Sequence, residues 1–155
     1  MQWQDVLADK SLHDLPYKIE MNRAGKIEMS PSSLIHSLIQ GELATTLKNQ
    51  LNGRIFTELA IQTTDGVKVP DVAWASEEYF LKHRHEICAS SAPEICIEII
   101  SSSNTVREMR RKIALFLKSG AVEVWLVDEQ GQIRFFNADG QQPNSCFNVE
   151  IGRLI

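Results

Sequence analysis

Glu98 stands where a carboxylate is costly. It interrupts the apolar run Ile95-Cys96-Ile97-Glu98-Ile99-Ile100, and a charge buried there is strongly unfavourable unless a partner compensates it. In strand geometry Glu94, Cys96, Glu98 and Ile100 share one face, with Ile95, Ile97 and Ile99 on the other. Two partners would meet the need. One is an arginine in a buried ion pair, and the other is a hard cation such as magnesium, held by a carboxylate fixed on a rigid strand. Asp71 follows Pro70 on a neighbouring candidate strand. An aspartate after proline usually marks a turn, so alone it says little. Beside Glu98 it says more, because Mg²⁺ takes one or two carboxylates together with waters and phosphate oxygens. A nearby lysine could then orient or deprotonate the attacking water, or stabilise a pentacovalent phosphate.

The helix expected over about 105–118 can supply that lysine. Met109, Ile113, Phe116 and Leu117 define its buried side. Arg111 points almost directly away, whereas Lys112 and Arg110 lie on opposite margins, and the wheel does not choose between them. Glu108 sits one turn before Lys112, so an ordinary i,i+4 surface pair is the plain alternative for that lysine.

The remaining elements follow from turn and cap signals. Residues 17–20 and 26–29 read as two short strands around Ala24-Gly25, and Pro31-Ser32-Ser33 opens a helix with serine as N-cap. Ile35, Ile39, Leu43 and Leu47 recur every four residues, giving an apolar stripe that runs to about Leu51, and Gly53 ends the helix. Residues 54–61 and 67–75 bracket a hairpin turn at Thr63–Gly66, and Pro70 suggests an edge or irregular strand. A short helix is expected from Glu77 to about Leu81, then a polar loop through Ser91. Residues 94–100 make a strand covered on both faces. Ser101–Asn104 break that strand and can cap the next helix, which Gly120 closes. Strands over 122–127 and 132–136 complete the order. The pattern predicts an α/β fold with a mixed sheet flanked by helices, in a single domain over residues 1–155.

Bulk properties limit the function classes. Hydrophobic residues make up 43% and charged residues 23%, so the chain is expected to be globular. It contains no apolar run long enough for a membrane span, and its first residues lack a secretory pattern. The three cysteines are odd in number and fit no metal spacing. They read as reduced thiols of a cytoplasmic protein, with Cys96 in the core. A net charge of −4 argues against a general electrostatic grip on nucleic acid. Binding would then need bound metal or the one basic cluster, Arg107, Arg110, Arg111, Lys112 and Lys118, which by itself reads as a solvated helix face. His83-Arg84-His85 reads as surface, since residues two apart do not share a helix face. Ser101–Ser103 lack a glycine elbow or a histidine partner and read as a cap. His36 falls within the stripe of its helix and faces inward, which is the usual position of a satisfied core histidine.

Val69-Pro70-Asp71-Val72, Pro93–Ser101, Lys112 with Phe116, and Gly120–Asp128 together resemble the Uma-type family of restriction-endonuclease-like proteins, part of the PD-(D/E)XK nuclease superfamily. The likeness spans about residues 15–137. It includes the segment from Glu20 to Gly25, Met29-Ser30-Pro31 and His36. The resemblance implies a restriction-endonuclease-like core of order α-β-β-β-α-β. It also implies Asp71 and Glu98 as ligands of Mg²⁺ or Mn²⁺, and cleavage of DNA rather than RNA by a homodimer. The superfamily places a lysine two residues after the glutamate, but here that position is Ile100. In this family the lysine comes from the following helix, and the register of the likeness selects Lys112 over Arg110. His36 and Glu20 become further candidates, Glu20 either as an extra ligand near the metal or as a structural acid. Two other readings stay open: a catalytically inactive binding or assembly module in which Glu98 and Lys112 form only a buried pair, and a hydrolase of another phosphoester.

Overall fold

Local caps and apolar periodicity set the elements, and long-range pairing decides what they face. The computed structural model describes residues 1–155. Its helices are α1 (Trp3–Ala8), α2 (Leu34–Gln50), α3 (Glu77–His83) and α4 (Val106–Lys118). Its strands are β1 (Tyr17–Met21), β2 (Ile27–Pro31), β3 (Arg54–Thr57), β4 (Ile61–Thr63), β5 (Gly66–Lys68), β6 (Val72–Ala75), β7 (Ile95–Ile100), β8 (Glu123–Asp128), β9 (Ile133–Asn137) and β10 (Gly140–Gln142). Helix α2 begins at Ser33, whose hydroxyl accepts from His36 N–H. Helix α4 begins at Thr105, not within 101–104: Thr105 and Glu108 form a reciprocal capping box that satisfies two end donors.

A six-stranded mixed sheet in the order β10-β9-β8-β7-β6-β3 forms the centre. Its β7–β8 pair is parallel, joined through α4, and its other pairs are antiparallel. Helix α2 covers one face, packing Ile39, Leu43 and Leu47 on Val72, Trp74, Ile95, Ile97, Ile99 and Trp125. Helix α4 covers the other, packing Met109, Ile113 and Phe116 on Cys96, Val124 and Leu126. Each large apolar side chain so buried stabilises the fold by about 1.5–3 kcal/mol before entropy is counted. The alternation in β7 is therefore as the sequence requires, with the isoleucines toward α2 and Cys96 and Glu98 toward α4. The α-β-β-β-α-β core is α2, β3, β6, β7, α4 and β8.

The structure departs from the sequence expectation at the two long strands over 54–61 and 67–75. Each is split between two sheets. β3 and β6 pair in the central sheet, while β4 and β5 form a hairpin in a second sheet of order β2-β1-β5-β4. The break falls at residues 58–60 and 69–71. There Glu58 takes a left-handed φ of 57°, and Pro70 lacks the donor that a continuous ladder would need. Of the two readings Pro70 allowed, the irregular strand holds and the edge does not: the segment is interrupted at Pro70, and β6 lies between β7 and β3. Asp71 sits at the joint, just before β6. No helix is long and apolar enough to cross a membrane.

Candidate active site

β6 runs antiparallel to β7 with Val72 opposite Ile97, so Asp71 arrives beside Glu98 at the end of the central sheet. Four hydrogen bonds and one close histidine contact fix Asp71. Its carbonyl oxygen accepts from Glu58 N–H at 3.3 Å and Gln40 Nε2 at 2.9 Å. Its carboxylate Oδ2 accepts from Ile99 N–H at 2.7 Å and lies 3.2 Å from His36 Nε2, while Oδ1 accepts from Lys18 Nζ at 2.8 Å. The two carbonyl bonds fix its backbone, and the three contacts on the carboxylate hold the side chain to one rotamer. Glu98, buried on the α4 side of β7, accepts from Lys18 Nζ at 3.1 Å on Oε2 and from Lys112 Nζ at 3.0 Å on Oε1.

Lys112 also reaches Glu20 Oε1 at 3.1 Å, and that same oxygen accepts from Val69 N–H at 2.8 Å. Asp71, Glu98, Lys112, His36 and Glu20, separated by up to 92 residues in the chain, thus line one cleft. Arg110 is exposed and outside it. Lys112 does not form the surface pair with Glu108, whose carboxylate is committed to the Thr105 cap. His36 takes a position between the two readings left open: it reaches Asp71, yet its buried Nδ1 has no partner. The cleft has a volume of about 940 Å³.

Sequence reasoning missed Lys18, the most central cation of the cluster. It is 9% exposed and bridges Asp71 and Glu98. A signal did exist: in strand β1 Lys18 and Glu20 are two apart and share a face. Gln40 was missed as well, although it lies four residues after His36 on α2 and so shares its side. His83 contradicts the surface reading of residues 83–85. It is buried, with Nδ1 2.9 Å from Glu86 Oε2 and Nε2 3.2 Å from Ser91 Oγ. It fastens the loop after α3 and lies outside the cleft.

Three carboxylates share two ammonium groups in this cluster, all of them withdrawn from water. Burial pushes Asp71 up, but the His36 hydrogen bond and the charge of Lys18 outweigh it and hold Asp71 well below the usual carboxylate range. Burial pushes Glu98 up, and Lys112 and Lys18 offset only part of that, since Asp71 and Glu20 repel its charge. Lys18 and Lys112 are each pushed down by burial, yet the surrounding carboxylates, Glu98 foremost, raise both above the ordinary lysine value. Both lysines therefore carry their charge at neutral pH.

The donor set suits a hard cation. Asp71 Oδ1 and Glu98 Oε2 converge on a single cationic centre, now the Lys18 ammonium, and the donors are all oxygen. No group of three or more His, Cys, Asp or Glu side chains forms a ready cage. Two carboxylates completed by waters and phosphate oxygens match the habit of Mg²⁺.

The sequence model of a family described as "Uma2: Putative restriction endonuclease" matches residues 9–148. A solved structure described as "a putative nuclease belonging to DUF820", from Anabaena variabilis, is similar to this chain, with a TM-score of 0.65 and 25% identity. The match covers 85% of this chain and 81% of that one. The comparison with curated proteins gave no match.

Proposed function

The chain belongs to the Uma2 family, and from that premise we propose that it is a divalent-metal-dependent endonuclease with Asp71, Glu98 and Lys112 at its centre. One observation carries this reading: two carboxylates and the Lys112 ammonium, from the joint before β6, from β7 and from α4, meet in a single cleft. Asp71 and Glu98 would hold Mg²⁺ or Mn²⁺. When bound there, such an ion supplies an activated water and polarises the phosphoryl oxygen. Lys112, tethered to Glu98 and Glu20, is placed to donate a hydrogen bond to the attacking water or to the developing phosphorane charge. Ile99 N–H and His36 hold the Asp71 carboxylate in place, and Glu20 anchors Lys112.

DNA is the substrate that the family reading favours, and cleavage of both strands would take two copies of the chain. The test is incubation with supercoiled plasmid and with single-stranded DNA and RNA, with Mg²⁺, Mn²⁺ or chelator. Metal-dependent cleavage of DNA, lost in Asp71→Asn and Glu98→Gln variants that still melt cooperatively, is the expected result. Cleavage that persists in chelator or in either variant would refute the assignment. A second reading, a binding module without catalysis, is favoured by the complete pairing of Asp71 and Glu98 with Lys18 and Lys112. It predicts DNA retention in a mobility shift without cleavage in any metal.

A further inference from the structure

Lys18 is the one cluster residue that the endonuclease reading leaves without a task, although it is the most central. Its Nζ lies 2.8 Å from Asp71 Oδ1 and 3.1 Å from Glu98 Oε2. Those are the two oxygens that converge on one point. A cation at that point cannot share it with an ammonium, because both need the same lone pairs at contact distance and like charges repel. Nor could the two buried carboxylates simply face each other without either cation, since like charges repel strongly away from water.

We infer that Lys18 is a tethered counter-ion which holds Asp71 and Glu98 in place in the metal-free protein and leaves them when a divalent metal binds. This rests on the metal-dependent reading above. The backbone of Lys18 is fixed in β1, between β2 and β5. The movement therefore belongs to the side chain, whose four-carbon stem reorients while the strand stays. Its destination is the cleft that Lys18 lines together with Lys112. The charge count favours this direction. Three carboxylates against two lysines leave the cluster negative, so an arriving dication is welcomed, and the ammonium it displaces can turn to an anionic phosphate in the same cleft. Lys18 is thus a positioning residue that both preserves the site and competes for it.

Two measurements on the full chain test this. The first is Mn²⁺ binding by titration calorimetry to the wild type and to Lys18→Met and Lys18→Arg. Removing the competing charge should tighten Mn²⁺ binding about tenfold or more in Lys18→Met, while Lys18→Arg, which keeps a cation there, should not tighten it. The second needs no change at Lys18 and decides the matter if Lys18→Met fails to fold: reductive methylation of the wild type, read by mass spectrometry at Lys18. Mn²⁺ should speed Lys18 labelling several-fold, and should not do so in Asp71→Ala. If the wild type binds Mn²⁺ yet Lys18 labels at the same rate with and without it, the counter-ion role is overturned and the metal site stands. Equal or weaker Mn²⁺ binding by a folded Lys18→Met overturns it as well. Failure of both proteins to bind Mn²⁺ overturns this inference and the metal-dependent reading together.

Discussion

Lys112 Nζ stands 3.0 Å from Glu98 Oε1, reaching across from helix α4 to strand β7 although Ile100 holds the position two residues after the glutamate. The helix that follows β7 turns back over the face of the strand that carries Glu98, so a lysine 14 residues later arrives where a strand neighbour would otherwise be. Lys112→Ala should lower plasmid nicking in Mn²⁺ by about a hundredfold or more, the usual worth of a positioned acid or base. Ile100 shares the face of Glu98 and lines the same cleft. Ile100→Lys added to Lys112→Ala should therefore restore part of the activity. A double variant as inactive as the single one would show that the ammonium must come from the helix.

His36 is expected to act through Asp71, whose Oδ2 lies 3.2 Å from its Nε2. Residues that orient a metal-ligating carboxylate typically contribute about 10–100-fold to metal affinity or activity. His36→Ala should weaken Mn²⁺ binding by that order in calorimetry, with cleavage regained at higher metal. Unchanged affinity would return His36 to the status of a core residue.

Gly66 makes the β4–β5 turn at φ 81°, where a Cβ would lie 2.2 Å from the Met21 carbonyl oxygen and 2.5 Å from Asn22 backbone carbon. Met21 follows Lys18 and Glu20 on β1, so displacement there also disturbs the cleft. Gly66→Ala should cost about 2–4 kcal/mol, combining backbone strain with the clash. Urea unfolding measures this, and a loss under about 1 kcal/mol would contradict the packing described.

Glu86 fastens the loop after α3, and its pKa is lowered to about 2 by the His83 hydrogen bond first and then by those from Ser90. A carboxylate depressed in the folded state adds stability above its unfolded pKa, near 4.3, and that stability is lost as pH falls toward 2. Glu86→Gln should therefore melt below the wild type at pH 6, with the gap closing between about pH 4 and 2. A gap that does not change with pH would mean the carboxylate charge plays no part. Cleavage at pH 7 should be little changed, because the loop lies outside the cleft.

Much of the scaffold was legible in the chain. The alternation around Glu98 identified its face correctly, since side chains on a strand must alternate whatever the sheet contains. The four-residue stripe from Ile35 to Leu47 and the Ser33 cap located α2. The wheel of α4 set Arg111 aside and left Lys112 and Arg110 level, yet Arg111 stands exposed at the rim of the cleft, paired with Asp65. The tertiary structure separated Lys112 from Arg110, because only one margin of α4 overhangs β7.

What the sequence by itself determined is that an acid at position 98 is buried on the face opposite Ile95, Ile97 and Ile99, and that a helix with a basic margin follows it. Both are local consequences of period and burial. What only the tertiary structure decided is which groups meet that acid. Lys18 is 80 residues away in the chain and Asp71 27, and they arrive because the strands over 54–61 and 67–75 break at Glu58 and Pro70 and send a hairpin into a second sheet beside β1. Periodicity fixes the direction of a side chain relative to its own backbone. It carries no information on the partner across the gap, which depends on strand pairing between distant segments.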